Sequence, residues 1–164
     1  MTAPASPLLP DGGRPVDNNP DLDYSTDMIL ARTSDIPSPN LAELSAAGIR
    51  AFTRIAQLWR LSVDEQLQLL GEPARSTFFA WRKHPERASL PKDTLERISN
   101  LLGIYKSLQI LFPDTAAADA WIRKPNSAPI FGGRSALERM LGGNVSDLNA
   151  VRRYLDSVRG GGWS

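Results

Sequence analysis

The sequence predicts an all-α fold: a helix-turn-helix module followed by one long helix that leads into a small helical C-terminal module. Three observations predict it. Apolar residues recur at helical spacing in successive segments after position 40. Side chains that cap helix N-termini stand just ahead of those segments, at Asn40, Ser62, Asp114 and Asn144. Glycine or proline closes them, at Gly71, Pro85, Pro113 and Pro125.

The first helix starts from Asn40, with Glu43 three residues on, and places Leu44, Ile49, Phe52, Ile55 and Trp59 toward a core. Arg50, Arg54 and Arg60 fall mostly on its other faces, a pattern that serves a solvated surface as well as a phosphate-binding one. Ser62 and Glu65 form a capping box for a short helix from Val63 to about Leu70, which Gly71 stops. After Glu72-Pro73 a second short helix carries Arg75-Ser76-Thr77-Phe78-Phe79-Ala80-Trp81-Arg82-Lys83. Two short helices around a tight glycine-containing turn have the shape of a helix-turn-helix. Phe78 and Trp81 face inward and fix the second helix, leaving Arg75, Ser76, Thr77, Arg82 and Lys83 outward as the candidate DNA contacts. The span 75–92 holds five basic residues against Glu86 alone, a local net charge of +4 where the whole chain has +1. A helical hairpin with no ligand accounts for the helices, but not for their coincidence with the basic maximum.

His84-Pro85 ends that helix, because the residue before proline is pushed out of the α region. The chain's one histidine has no partner in sequence and reads as a surface loop residue or a phosphate contact. The long helix then runs from about Lys92 to Leu111, with Leu95, Ile98, Leu101, Leu102, Tyr105, Leu108, Leu111 and Phe112 in a stripe wide enough for burial on more than one side. The same stripe also suits self-association.

Asp114 caps an alanine-rich helix that ends at Trp121-Ile122. The stretch Trp121–Gly143 then reads as a folded corner: a Pro-Asn turn, Phe131-Gly132-Gly133 with a glycine in a backbone conformation that a side chain would forbid, and a short Ser135–Leu141 helix burying Leu137, Met140 and Leu141. It lacks the strand and the Gly/Lys spacing of a phosphate loop. The last helix, about Val145 to Val158 with Asn144 as its cap, turns Val145, Leu148, Val151, Leu155 and Val158 inward. Arg152, Arg153, Asp156 and Arg159 lie off that face, ahead of a triglycine tether that carries Trp163. That tail reads as a frayed end or as an arm that orders when it inserts into a partner.

Composition bounds the function. With no cysteine there is no disulfide, thiolate metal site or thiol nucleophile, and one histidine excludes multi-histidine metal sites within one chain. Paired carboxylates in a plausible cleft are also missing, so no enzyme, catalytic residue, metal or cofactor is expected. No apolar run approaches the roughly 20 residues of a membrane span, nor does the N-terminus look like a secretion signal, so a soluble cytoplasmic protein is expected. Charge is uneven: residues 1–40 hold two of the 19 basic and six of the 18 acidic residues, leaving −4 there and +5 in the remainder. They also hold seven of the 13 prolines, and their one apolar cluster is Met28-Ile29-Leu30, the composition of a disordered or loosely ordered leader.

Together these residues resemble the Xre/MbcA/ParS family of antitoxins, partners of RES-domain toxins, over roughly 45–162. The resemblance rests on the Ile98–Leu108 helix, Leu111-Phe112, Trp121-Ile122-x-x-Pro125-Asn126, Phe131-Gly132-Gly133, the Leu137–Met140 helix and Val151-Arg152-Arg153-Tyr154-Leu155-Asp156. One departure is visible: many relatives have Ser-Pro-Leu after the Gly-Gly, and here Ser135-Ala136-Leu137 stands. The acidic proline-rich leader at 1–40 lies outside the pattern; the resemblance implies an Xre-like (Xre/Cro-like) helix-turn-helix domain at 41–112 and a toxin-binding domain with a flexible tail at 113–164. It implies that the C-terminal region occludes the active site of a cognate NAD-consuming RES toxin, with Arg152, Arg153, Asp156, Arg159 and Trp163 as toxin contacts. It also implies that the helix-turn-helix binds operator DNA and represses the chain's own operon, with a homodimer and a larger hetero-oligomer with toxin. A different class remains open from the residues alone: a stand-alone helix-turn-helix regulator whose C-terminal domain dimerises or senses a ligand.

Overall fold

The computed structural model describes residues 39–160. Seven α-helices make up these residues, and the one β feature among them is an isolated bridge between Pro125 and Ser135. The leader to position 38 and Trp163 lie outside the described residues.

Helix α1 (Leu41–Leu58) starts where Asn40 Oδ1 accepts the Glu43 N–H at 2.8 Å and the Glu43 carboxylate accepts the Asn40 N–H at 3.2 Å. Ile49, Phe52, Ile55 and, just past its end, Trp59 are buried as expected. Leu44 is not: it is 45% exposed. A five-residue step rotates about 140° around a helix, so Leu44 lies off the stripe led by Ile49, and Ser45 and Ala46 occupy the buried place.

Helix α2 (Val63–Leu69) carries the second capping box, with Ser62 Oγ accepting the Glu65 N–H at 3.1 Å and the Glu65 carboxylate accepting the Ser62 N–H at 2.8 Å. Gly71 at φ +88° and Glu72 at φ +60° then reverse the chain, closed by the Glu72 N–H donating to Leu67 O at 2.8 Å. Helix α3 (Arg75–Lys83) follows and buries Phe78 and Trp81. His84 leaves the helical region at φ −131°, as a pre-proline residue must, and a 3₁₀ turn spans Pro85–Arg87.

Helix α4 (Lys92–Leu111) is the axis of the unit. Helix α1 and the two later helices α5 (Thr115–Trp121) and α7 (Val145–Arg159) all pack on it, which is why its apolar stripe is wide. Ile98, Leu101 and Leu108 are buried as expected, joined by Ile104. The remaining stripe residues, Leu95, Leu102, Tyr105, Leu111 and Phe112, are half-buried around them.

The corner is tied by backbone: the Asn126 N–H donates to Arg134 O at 3.0 Å, the Gly133 N–H to Asn126 O at 3.0 Å and the Leu137 N–H to Ile122 O at 2.8 Å. Gly132 and Gly133 both have positive φ, at +57° and +84°, where a β-carbon is disfavoured. Short helix α6 (Ala136–Met140) begins with Ser135 Oγ accepting the Glu138 N–H, so Ala136 stands at the first helical position, where proline is tolerated equally well. The Phe131 ring packs edge-on against Trp121 at 5.9 Å and against Tyr154 of α7 at 5.1 Å, so the corner holds the last helix to the unit.

On α7, Leu148, Val151 and Leu155 are buried, whereas Val145 is half-buried and Val158 is 46% exposed, against expectation. The helix lies beside α4 with Arg152 near Ser99 and Gly103 and Asp156 near Ser107. By Val158 the supporting helix is within about a turn of its end at Leu111. Among the described residues no helix is long and apolar enough to cross a membrane.

Candidate functional site

Two faces of this unit collect the sequence-derived candidates. The first is the outer face of α3. Taking the buried pair Phe78 and Trp81 as its inner direction, the ~100° step per residue puts Ser76 and Lys83 within about 10° of the outermost line and Phe79 and Ala80 within about 50°. Arg75 falls about 90° away, and Thr77 and Arg82 about 110° away, on the flanks. Burial agrees: Ser76, Thr77, Phe79, Ala80 and Lys83 are exposed, while Arg82 is half-buried with its guanidinium 5.7 Å from the Phe78 ring centroid. Arg75 is exposed and pairs with Asp64 of α2. That pair is open to solvent and worth little to stability.

The candidates therefore separate by position. Ser76 and Lys83 lie on the outermost line of the face, and Arg75, Thr77 and Arg82 lie on its flanks. Phe79 and Ala80 stand on the same outer face, about 50° to either side of that line, where a pattern of polar residues alone does not point. Counting 100° steps from Phe78 and Trp81 finds them. Ala74 gives α3 no side-chain cap, which leaves its first-turn N–H groups without a side-chain acceptor.

The second face is on α7, and there the candidates do not form one patch. Arg152 and Asp156 face α4: Arg152 Nη1 donates to Ser99 O at 3.4 Å, and its guanidinium lies over Gly103, where an added β-carbon would sit 2.5 Å from Nε. Asp156 accepts the hydroxyl of fully buried Ser107 at 2.9 Å and stands 3.9 Å from Arg152 Nε. These two side chains join α7 to α4. Arg153 is exposed on another side of the helix, beside a shallow depression lined by Glu96, Val145, Ser146 and Asn149. Arg159 is exposed in the last turn.

Two arginines outside the candidate set connect the faces. Arg123, just past α5, donates to Trp59 O at 3.1 Å and Arg60 O at 2.8 Å, the unpaired carbonyls at the end of α1, and lies 3.2 Å from the Glu65 carboxylate. Burial raises the Glu65 pKa, but the Ser62 N–H and the Arg123 guanidinium outweigh it and hold the carboxyl below its ordinary value. Arg97, almost fully buried, donates to the Asp93 carboxylate at 2.7 Å and to Gly143 O at 2.9 Å. Its Nε lies 2.9 Å from where a β-carbon on Gly71 would be, so it packs under the turn between α2 and α3 while holding the turn that opens α7.

Residues 38–103 match the family model of the antitoxin Xre-like helix-turn-helix domain. Residues 107–161 match that of the antitoxin Xre/MbcA/ParS C-terminal toxin-binding domain. A protein of Sinorhizobium fredii, named as uncharacterized protein y4oB, is 52% identical over 125 residues, which span 76% of this chain and 93% of that protein. No solved structure matches the chain.

Proposed function

The chain belongs to the Xre/MbcA/ParS antitoxin family, with a helix-turn-helix domain and a toxin-binding domain, and from that premise we propose that it neutralises a RES-domain NAD-consuming toxin and represses its own operon. On this reading the DNA-reading part is 41–112 and the toxin-facing part 113–164, after the acidic leader at 1–40. The protein acts by covering a surface and carries out no chemistry of its own. The observation that carries the reading is the state of the arginines on α7. Arg153 and Arg159 are exposed and have no salt-bridge partner among the described residues, on a helix fixed to the unit by Phe131, Ser107 and Arg97. Guanidinium groups held on a rigid support suit acidic side chains at the mouth of a nucleotide-binding pocket, and Trp163 follows them in the sequence. Arg152 and Asp156 serve the toxin contact through the position of α7, with Arg152 half-exposed. Operator binding falls to α3, with Ser76 and Lys83 central and Arg75, Thr77 and Arg82 flanking. Two-fold operators call for a homodimer, and toxin binding builds the larger complex.

The test is co-expression with a RES-domain toxin, taken from the neighbouring gene if that gene codes for one. Cutting at 152 would remove buried Leu155 and the Ser107 partner Asp156, so loss of protection there would report unfolding. The informative variants are removal of residues 161–164 and the double substitution Arg153→Glu, Arg159→Glu. Toxicity should return with thermal stability unchanged. Full protection by both variants would remove the tail and the α7 arginines from the mechanism.

A further inference from the structure

Five large apolar side chains are exposed among the described residues: Leu41, Leu44, Phe79, Ile110 and Val158. Four of them border other apolar surface or a helix end. Phe79 stands instead in the middle of a basic, polar face, with Arg75 and Ser76 one turn before it and Arg82 and Lys83 one turn after it on the same helix. It is 44% exposed, and its ring meets that of fully buried Phe78 at 5.4 Å and 56°, so its inner edge is held by the core while its outer edge is free. Ala80 beside it is small enough to let the helix approach a groove floor closely.

In the major groove one apolar group distinguishes the base pairs, the 5-methyl of thymine, and an exposed phenyl ring among hydrogen-bonding side chains is a fit for it. We propose that Phe79 is a specificity-determining residue that packs on a thymine methyl, between the base contacts of Ser76 and Lys83. This rests on the operator-binding role of α3 and adds to it a base preference set by an apolar contact.

The experiment uses the full-length protein and a duplex containing the DNA upstream of its own gene, alongside an unrelated duplex of equal length. Each thymine of the bound region is replaced in turn by deoxyuridine, which removes the methyl and keeps every hydrogen-bonding group. Wild type should lose about fourfold in affinity at one or two positions, the worth of one buried methyl. Phe79→Ala should bind the upstream DNA more weakly, bind the unrelated duplex as wild type does, and be indifferent to deoxyuridine at those positions. Phe79→Leu should keep part of the sensitivity. Thermal melting of each variant checks the fold, which an exposed side chain leaves intact. Deoxyuridine sensitivity that persists in Phe79→Ala overturns the assignment while leaving operator binding in place. A change of oligomeric state in Phe79→Ala with that sensitivity intact overturns it in favour of a protein contact. Wild type that does not distinguish the upstream DNA from the unrelated duplex overturns the operator-binding role and the Phe79 assignment with it.

Discussion

Gly103→Ala should separate the folding role of α4 from the position of Arg152. The site is inside α4, with ordinary helical backbone, and replacing glycine by alanine in a helix interior stabilises by about 1 kcal/mol. The opposing term comes from Arg152, whose Nε, Cζ and Cδ would be 2.5, 2.7 and 3.0 Å from the new β-carbon. These atoms are the far end of a flexible, half-exposed side chain, so they move instead of the backbone. What is lost is a 3.4 Å hydrogen bond to Ser99 O and a 3.9 Å ion pair with Asp156, together about 0.5 kcal/mol for groups this open to water. The net expectation is a melting temperature unchanged or higher by about 2 °C. Toxin binding, measured by calorimetry with the co-expressed toxin, should weaken if the guanidinium must lie over Gly103. A fall in melting temperature of more than about 5 °C would refute the reasoning, because it would mean that Arg152 cannot swing away and that α4 and α7 are forced apart.

Arg123→Ala should destabilise by about 1–2 kcal/mol in denaturant unfolding, since it strips partners from the α1 carbonyls at a site that water partly reaches. An effect below about 0.3 kcal/mol would show that water replaces the guanidinium fully. The Glu65 carboxyl, held below its ordinary value of 4.5, gives stability that is complete above pH 4.5 and lost as pH falls through the depressed value. Glu65→Gln should therefore be less stable than wild type at neutral pH, and the difference should shrink below pH 4.5; a gap that stays constant with pH would remove the ion pair with Arg123 from the account.

Local signals carried most of the fold. Asn40-x-x-Glu43 and Ser62-x-x-Glu65 specify their caps through neighbours three residues away, and both boxes form as the pattern demands. His84 obeys its following proline, and Gly132 and Gly133 take the positive φ that glycine permits. What stayed hidden depends on partners distant in sequence. Val158 matches an apolar pattern, yet nothing local says where the covering helix stops, whereas the spacing of Leu44 from Ile49 alone puts it off the stripe. Arg152 and Asp156 look free on α7 until Gly103 and Ser107, about fifty residues earlier, are brought beside them. Arg97 and Arg123 also donate to backbone carbonyls of Gly143 and Arg60, acceptors that no residue letter announces. On α3 the signal for Phe79 is local, in the 100° step from Phe78 and Trp81, and its apolar side chain does not mark it as outward-facing.

The two family regions meet inside α4, between positions 103 and 107, where Ile104 is fully buried and the helix is unbroken. A hinge needs a few residues free to change φ and ψ, and a packed helix interior offers none. Arg97 and Arg123 add ties on either side, one from the α2–α3 turn to the start of α7, the other from α5 to the end of α1. Helices α3 and α7 must then move as one body, and on the proposed function a bound toxin would influence operator binding by setting how copies are spaced, through the geometry of the complex. This has a direct consequence for unfolding. Residues 41–159 should melt in a single denaturant transition, with amides of α4 around Ile104 exchanging only through global opening. Exchange of α7 amides at a markedly lower free energy than those of α1 would mean that the toxin-facing helix opens on its own, and coupling through a rigid body would fail.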